Sequence, residues 1–325
     1  MTTTADTSPN SATTTNSTIS LPTSFAANHV GLVYNLLRVA SAADADGAQH
    51  KGRRKAAELA VQKCLTIPGF VAVLQMIFTN ARADEHLRFI AIVCAKNTVK
   101  RVWTKKARRG GQRRFSAFRR RNNATDTDTA SATATVSEEE KQRFKMNILQ
   151  PALVEPNSRL ALHQSLLVSL MVRVEVRSIT EQQQKMLRIG GRRPQQQQQQ
   201  QLQQQTATAP PFWPQLFPTL VQGLRATNRV TVLNSARMLF HCVDEFSTMR
   251  MRIHQQKFRA LVKTVVGPVA ASFQHWIKDS MTVLLAAQKM SPSPALLTHI
   301  TKASFAVDLT VILCKTLKRC ILRGC

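Results

Sequence analysis

Apolar residues recur along the chain at three- and four-residue spacing, and polar punctuation cuts them into paired segments. Such spacing predicts amphipathic α-helices. A first pair covers 30–43 and 51–65, joined by the polar stretch 44–50. Pro68-Gly69 then punctuates the chain, and 70–79 follows with Val71, Leu74 and Phe78 on one face. Residues 83–103 carry Leu87, Ile90, Ala91 and Cys94 at helical spacing. The middle of that segment, 89–95, is apolar all round, which predicts a helix enclosed on several sides. Ser137-Glu138-Glu139-Glu140 opens the next helix, to about residue 153, with Ser137 as N-cap and Glu140 at the capping-box position. Residues 158–176 place Leu162, Leu166, Leu170 and Val174 along one face. A fourth pair covers 212–226 and 228–248, the second helix carrying Val230, Leu233, Phe240, Val243 and Phe246 inward. The last pair is 250–288, with a kink expected at Gly267-Pro268, and 295–322.

Three stretches lack this rhythm. Residues 1–28 are rich in Thr, Ser, Asn and Ala and read as a disordered tail. Residues 104–136 open on a basic run and continue in Thr, Ala, Asp and Ser. Residues 177–211 hold seven consecutive glutamines, 195–201, and close on Pro210-Pro211. Both internal stretches read as disordered inserts. Without them, about five helix pairs remain at a spacing near 40 residues, the length class of HEAT and armadillo repeats. The expected fold is therefore all-α: a solenoid of HEAT-like helix pairs. Repeats one and two fill 29–103, the third 137–176, and the fourth and fifth 212–325.

Composition narrows the picture. Gly numbers 11 and Pro 13, with a single Tyr, which disfavours all-β sandwiches and barrels. Lys and Arg total 45 against 18 Asp and Glu, a formal charge of +27. That excess predicts attraction to a polyanion. The first insert contributes nine basic and two acidic residues and the second five and one, so +16 remains on the repeats and tail. Cys64, Cys94 and Cys242 stand on apolar helical stretches and no Cys-x-x-Cys pair occurs, so buried reduced thiols are expected rather than zinc or disulfides. No basic-then-apolar leader opens the chain, and charges or Gly-Pro interrupt its apolar stretches. These features predict a soluble, intracellular chain without a membrane span.

The segment 84–103 also carries a motif: Arg88, Ala91 three residues on, Lys96-Asn97, then Trp103. Ala57-Glu58-Leu59 and Pro68-Gly69-Phe70 precede it. Ser137-Glu138-Glu139-Glu140-Lys141 and Trp213-Pro214-Gln215-Leu216-Phe217-Pro218-Thr219-Leu220 follow. In that order, and on those helices, the motifs resemble the N-terminal region of the importin-β (karyopherin) family, over about residues 30–276 apart from the inserts. Phe78-Thr79-Asn80 after the Pro-Gly-Phe turn is closest to the importin-eleven branch. The chain is basic where that family is typically acidic, and the family continues for many more repeats. The resemblance implies a nuclear transport receptor whose first repeats bind the small GTPase Ran in its GTP form through the inner B helices. A cargo protein and nucleoporins are further implied partners, and shuttling between cytoplasm and nucleus, with the nuclear envelope, the implied location.

Within that resemblance Lys96, Asn97, Lys100 and Arg101 are the expected Ran contacts. Arg88, Ala91, Trp103, Trp213 and Pro214 are family-signature residues with structural roles. Packing between repeats is the plainer reading of Trp103, and holding helix ends the plainer reading of Arg88 and Asn97. Lys105, Lys106, Arg108, Arg109, Arg113 and Arg114, with Phe115 and Phe118 beside them, have the pattern of a single-stranded nucleic acid binder and suit a nuclear localisation signal equally well. They motivate the alternative, a basic solenoid scaffold that binds RNA or another polyanion. No phosphate-loop, nucleophile-elbow or His-Glu-x-x-His motif occurs, and His163, His241 and His299 read as ordinary helix residues. No enzyme activity, cofactor or metal is expected.

Overall fold

The computed structural model describes residues 20–42, 48–103, 136–189, 213–249, 252–289 and 293–324. Among the described residues a 3-10 turn, Ala27–His29, leads into ten α-helices: α1 Val30–Ser41, α2 Ala48–Cys64, α3 Phe70–Thr79, α4 Glu85–Val102 and α5 Glu138–Val154, then α6 Ser158–Ile189, α7 Leu216–Gly223, α8 Arg229–Ser247, α9 Arg252–Gln288 and α10 Pro294–Gly324. They pair as expected of an all-α solenoid. The second helices stack in a ladder, α4 on α6, α6 on α8 and α8 on α10, while α1, α3 and α5 stack on the other side. The first pair joins the array through α1, which touches both α3 and α4.

Local chemistry starts these helices where the sequence signals them. Asp84 accepts the Leu87 N–H at 3.0 Å, and Asn228 accepts from Val230 and Thr231. Ser137 accepts the Glu140 N–H at 3.1 Å, so it is the cap. Glu140 does not complete the capping box. Its carboxylate is buried and reaches across to the previous repeat, where Oε1 accepts the Gly69 N–H at 3.1 Å. Burial holds its pKa above the ordinary carboxylate value, against the lowering effect of that bond. Gly69 itself has φ 81°, a left-handed conformation glycine adopts cheaply. A Cβ there would stand 2.1 Å from the Phe25 carbonyl oxygen.

Several boundaries differ from the sequence expectation. The fold begins before residue 29: Phe25 is buried against Phe70, ring centroids 5.2 Å apart, and its N–H donates to the Pro68 carbonyl. Helix α6 continues to Ile189, thirteen residues into the stretch assigned to the Gln-rich insert. Gln, Glu, Lys and Met are good helix formers, so polarity alone does not end a helix. The buried stripe of α6 is also not the expected one. Leu160, Leu167, Val168, Met171, Val172 and Val176 are buried, while Leu162 is exposed and Leu166, Leu170 and Val174 are half-buried. On α8, Val243 and Phe246 are buried as expected, whereas Val230, Leu233 and Phe240 are half-buried. Helix α7 is short, and α9 runs as one helix with Pro268 inside it. The expected tail, 1–28, lies outside the described residues up to 19, as do 104–135 and 190–211 of the inserts.

The thiols sit as expected. Cys64, Cys94 and Cys242 are buried and free, and burial pushes Cys64 and Cys94 up to about 11, which keeps them protonated. The expectation about membrane spans needs correction. Pro294–Arg323 holds an 18-residue window of mean hydropathy 1.4, long and apolar enough to cross a bilayer. Single charges such as Asp308 do not cancel the surrounding Leu, Val and Ile. In this structure the helix lies along α9 and α8 and buries Ala303, Ala306, Leu309, Leu313 and Cys320.

Candidate functional site

Two groups of side chains sit where α4 meets its neighbours, one buried and one open. The buried group ties the second repeat to the third. Trp103, fully buried just after α4, donates its indole N–H to Glu175 Oε1 at 2.9 Å and packs edge-on to Phe144, ring centroids 5.7 Å apart. Lys145 Nζ holds the other oxygen of Glu175 at 2.8 Å. Burial pushes the Glu175 carboxyl up, and the bonds from Lys145 and Trp103 oppose it. Arg88 is also buried. Its Nε donates to the Phe78 carbonyl at 3.0 Å and its Nη2 to Glu155 Oε2, between α5 and α6. Gln75 donates to the Phe144 carbonyl at 3.1 Å. The next junction uses the same device: Asn234 donates to the carbonyls of Ala152, Leu153 and Glu155, at 2.9–3.3 Å. Arg88 at Phe78 and Asn234 at Ala152, Leu153 and Glu155 satisfy carbonyls at helix C-termini that burial would otherwise leave unpaired.

The open group lies on the facing stripes of α4 and α6. Positions 89, 93, 96 and 100 fall along one line of α4, and 159, 163, 166 and 170 along one line of α6. Lys96 Nζ stands 3.0 Å from His163 Nδ1. An ammonium can only donate, so the ring accepts at Nδ1 and carries its hydrogen on Nε2. The His163 ring meets Phe89 edge-on at 4.7 Å, and the Arg159 guanidinium lies over the same Phe89 ring, 4.2 Å from its centroid. Burial lowers the pKa of Lys96, and Lys100 adds to that; burial, Lys96 and Arg159 lower the pKa of His163. Half-buried Val93, Leu166 and Leu170 continue the stripes.

Of the expected partner contacts, Lys96 and Lys100 therefore join this group. Asn97 and Arg101 are exposed on α4 but turned about 100° away from that line. Arg88, Ala91 and Trp103 are buried in the junction. Trp213 is buried before α7 and Pro214 is exposed beside it. Lys105, Lys106, Arg108, Arg109, Arg113 and Arg114 lie outside the described residues. Sequence reasoning missed Phe89, Arg159 and His163 as partners of Lys96, and Glu155, Glu175 and Asn234 as junction residues. Among the described residues no group of three His, Cys, Asp or Glu side chains could hold a metal ion.

The helix-pair array with polar junctions defines an α-solenoid. Residues 57–153, from within α2 to the end of α5, match the importin-beta N-terminal domain, and the chain carries that domain. Among solved structures it is similar to Lph2, a bidirectional nuclear transport receptor of S. cerevisiae. The TM-score is 0.51 and the identity 16%, over 86% of this chain and 20% of that one. That likeness is one of fold, an all-α solenoid, and the chain spans about one fifth of that receptor's length. No curated protein sequence matches the chain.

Proposed function

We propose that this chain is, or forms part of, an importin-β-like nuclear transport receptor whose first repeats bind Ran in its GTP form and which takes part in protein import into the nucleus. The observation that carries the reading is the importin-beta N-terminal domain over 57–153, whose α4 leaves Lys96, Asn97, Lys100 and Arg101 accessible on the B-helix ladder. In this family that domain is the Ran-GTP-binding region. The chain then shuttles between cytoplasm and nucleus, with nucleoporins and a cargo protein as further partners. The Phe78-Thr79-Asn80 stretch favours the importin-eleven branch. Nothing in the reading requires catalysis.

The formal charge of +27 favours a second reading, a basic solenoid scaffold that binds RNA through the run at Lys105, Lys106, Arg108, Arg109, Arg113 and Arg114. A pull-down with GTP-loaded and GDP-loaded Ran separates the two. Retention of the GTP form alone, unaffected when those six residues become Gln, is the expected result. Equal or absent retention of both forms, with RNA binding lost in the six-residue variant, would establish the scaffold instead.

A further inference from the structure

The B-helix ladder carries cations at each junction, but they are balanced differently. At the α6/α8 junction Arg173 pairs with Glu245 at 3.4 Å, and at α8/α10 Arg319 pairs with Asp244 at 2.8 Å. Asp308 on α10 supplies a balancing field to Arg237 on α8. In the open group at α4/α6 the neighbours of the cations are other cations; the α4 cation that has a carboxylate, Arg88, belongs to the buried group. Lys96 faces His163 and Lys100, and His163 faces Lys96 and Arg159. Arg159 is held by the Phe89 ring rather than by a carboxylate.

From this contrast we infer that the α4/α6 junction is a docking site for an acidic protein segment, with a partner carboxylate seated among Lys96, Lys100, Arg159 and His163. A carboxylate there supplies the charge that the other junctions find within the chain. It can accept from the Lys96 ammonium and from the Arg159 fork, and charge-assisted bonds of that kind are the strong ones. Phe89 underlies the site as an aromatic floor, and half-buried Val93, Leu166 and Leu170 on the same stripes border it with apolar surface. An anchor of aromatic and aliphatic groups within a polar rim suits a protein partner. A nucleic acid strand would favour a longer basic track with stacking rings exposed along it.

The inference rests on the proposed function only in using the same B-helix face, and it assigns that face a partner chemistry. The test uses the full chain and a fluorescein-labelled hexaglutamate peptide at physiological salt. Lys96→Met is compared with Lys63→Met, which removes the same charge from the exposed surface of α2. Because both variants carry the same net charge, general attraction to a basic protein cancels. Lys96→Met is expected to weaken peptide binding by about tenfold relative to Lys63→Met, and Lys96→Arg to retain it. Arg159→Gln should show the same loss. Equal affinity in Lys96→Met and Lys63→Met overturns the inference. So does a poly(U) strand that loses as much affinity as the peptide, because the site would then be reading phosphate. Peptide discrimination with no retention of Ran-GTP upholds the inference and removes the Ran reading. Ran retention without peptide discrimination does the reverse.

Discussion

Replacing Trp103 by alanine is expected to lower stability by about 3–5 kcal/mol, the range for deleting a fully buried large side chain. The ring is wedged between the second and third repeats against Phe144, and its N–H holds one oxygen of Glu175. Removal opens a cavity and leaves the buried carboxylate with Lys145 alone. Each repeat in a solenoid is stabilised by its neighbours, so the loss should spread along the array. Urea denaturation followed by circular dichroism reads the effect. Trp103→Phe separates its two parts, since it keeps most of the packing and loses the hydrogen bond, for an expected cost of about 1–3 kcal/mol. An unchanged midpoint in Trp103→Ala would mean that the ring does not bridge the repeats.

The second large effect is at Arg88. Removing one member of a buried ion pair strands the other charge, and Arg88→Met should cost about 3–5 kcal/mol. Arg88 and Glu155 have side chains only 8% and 4% exposed, so solvent screens them little. The double variant Arg88→Met with Glu155→Leu should recover most of that loss, because an apolar pair of similar volume replaces a costly desolvated one. A residual deficit of about 1 kcal/mol is expected from the Phe78 carbonyl, which loses its Arg88 donor. A single variant that costs under ~1 kcal/mol would behave like an exposed ion pair and contradict the buried junction.

Much of the array could be read from periodicity and caps. Phe70–Thr79 matches its predicted span, and Ser137 caps the helix that follows it as its pattern predicts; the Asp84 and Asn228 caps emerge only in the structure. The errors have identifiable physical causes. Glu140 satisfies the capping-box pattern, yet a carboxylate at that position reaches a neighbouring N–H as easily as its own, and Gly69 offers one. The apolar face of α6 was misplaced because α4, α5 and α8 all press on that helix. With Ser165 and Ser169 buried among them, the small polar residues hid the true stripe. The start of the Gln-rich stretch reads as a break by its polarity, yet its residues favour helix, and α6 runs on to Ile189.

The candidate site was legible only by half. Lys96 and Lys100 are visible on α4 from the family-like motif, but their companions are not. Arg159 and His163 come from another helix, 67 residues away in the case of the Lys96–His163 contact, across an aperiodic insert and a further helix. A histidine at helical spacing carries no mark of the lysine it will meet. Likewise Trp103 and Arg88 are recognisable as signature residues, while Glu175 and Glu155, which complete their junctions, look like ordinary helix and loop carboxylates until the repeats stack.

The proposed function places Ran in its GTP form on the B-helix face formed by α4 and α6. Amide hydrogen exchange of the full chain, alone and with GTP-loaded or GDP-loaded Ran, tests it most directly. Added protection is expected with the GTP form in α4, around 89–101, and in α6, around 159–170, with the GDP form leaving both unchanged. Protection confined to other helices, or identical with the two nucleotide states, would contradict it.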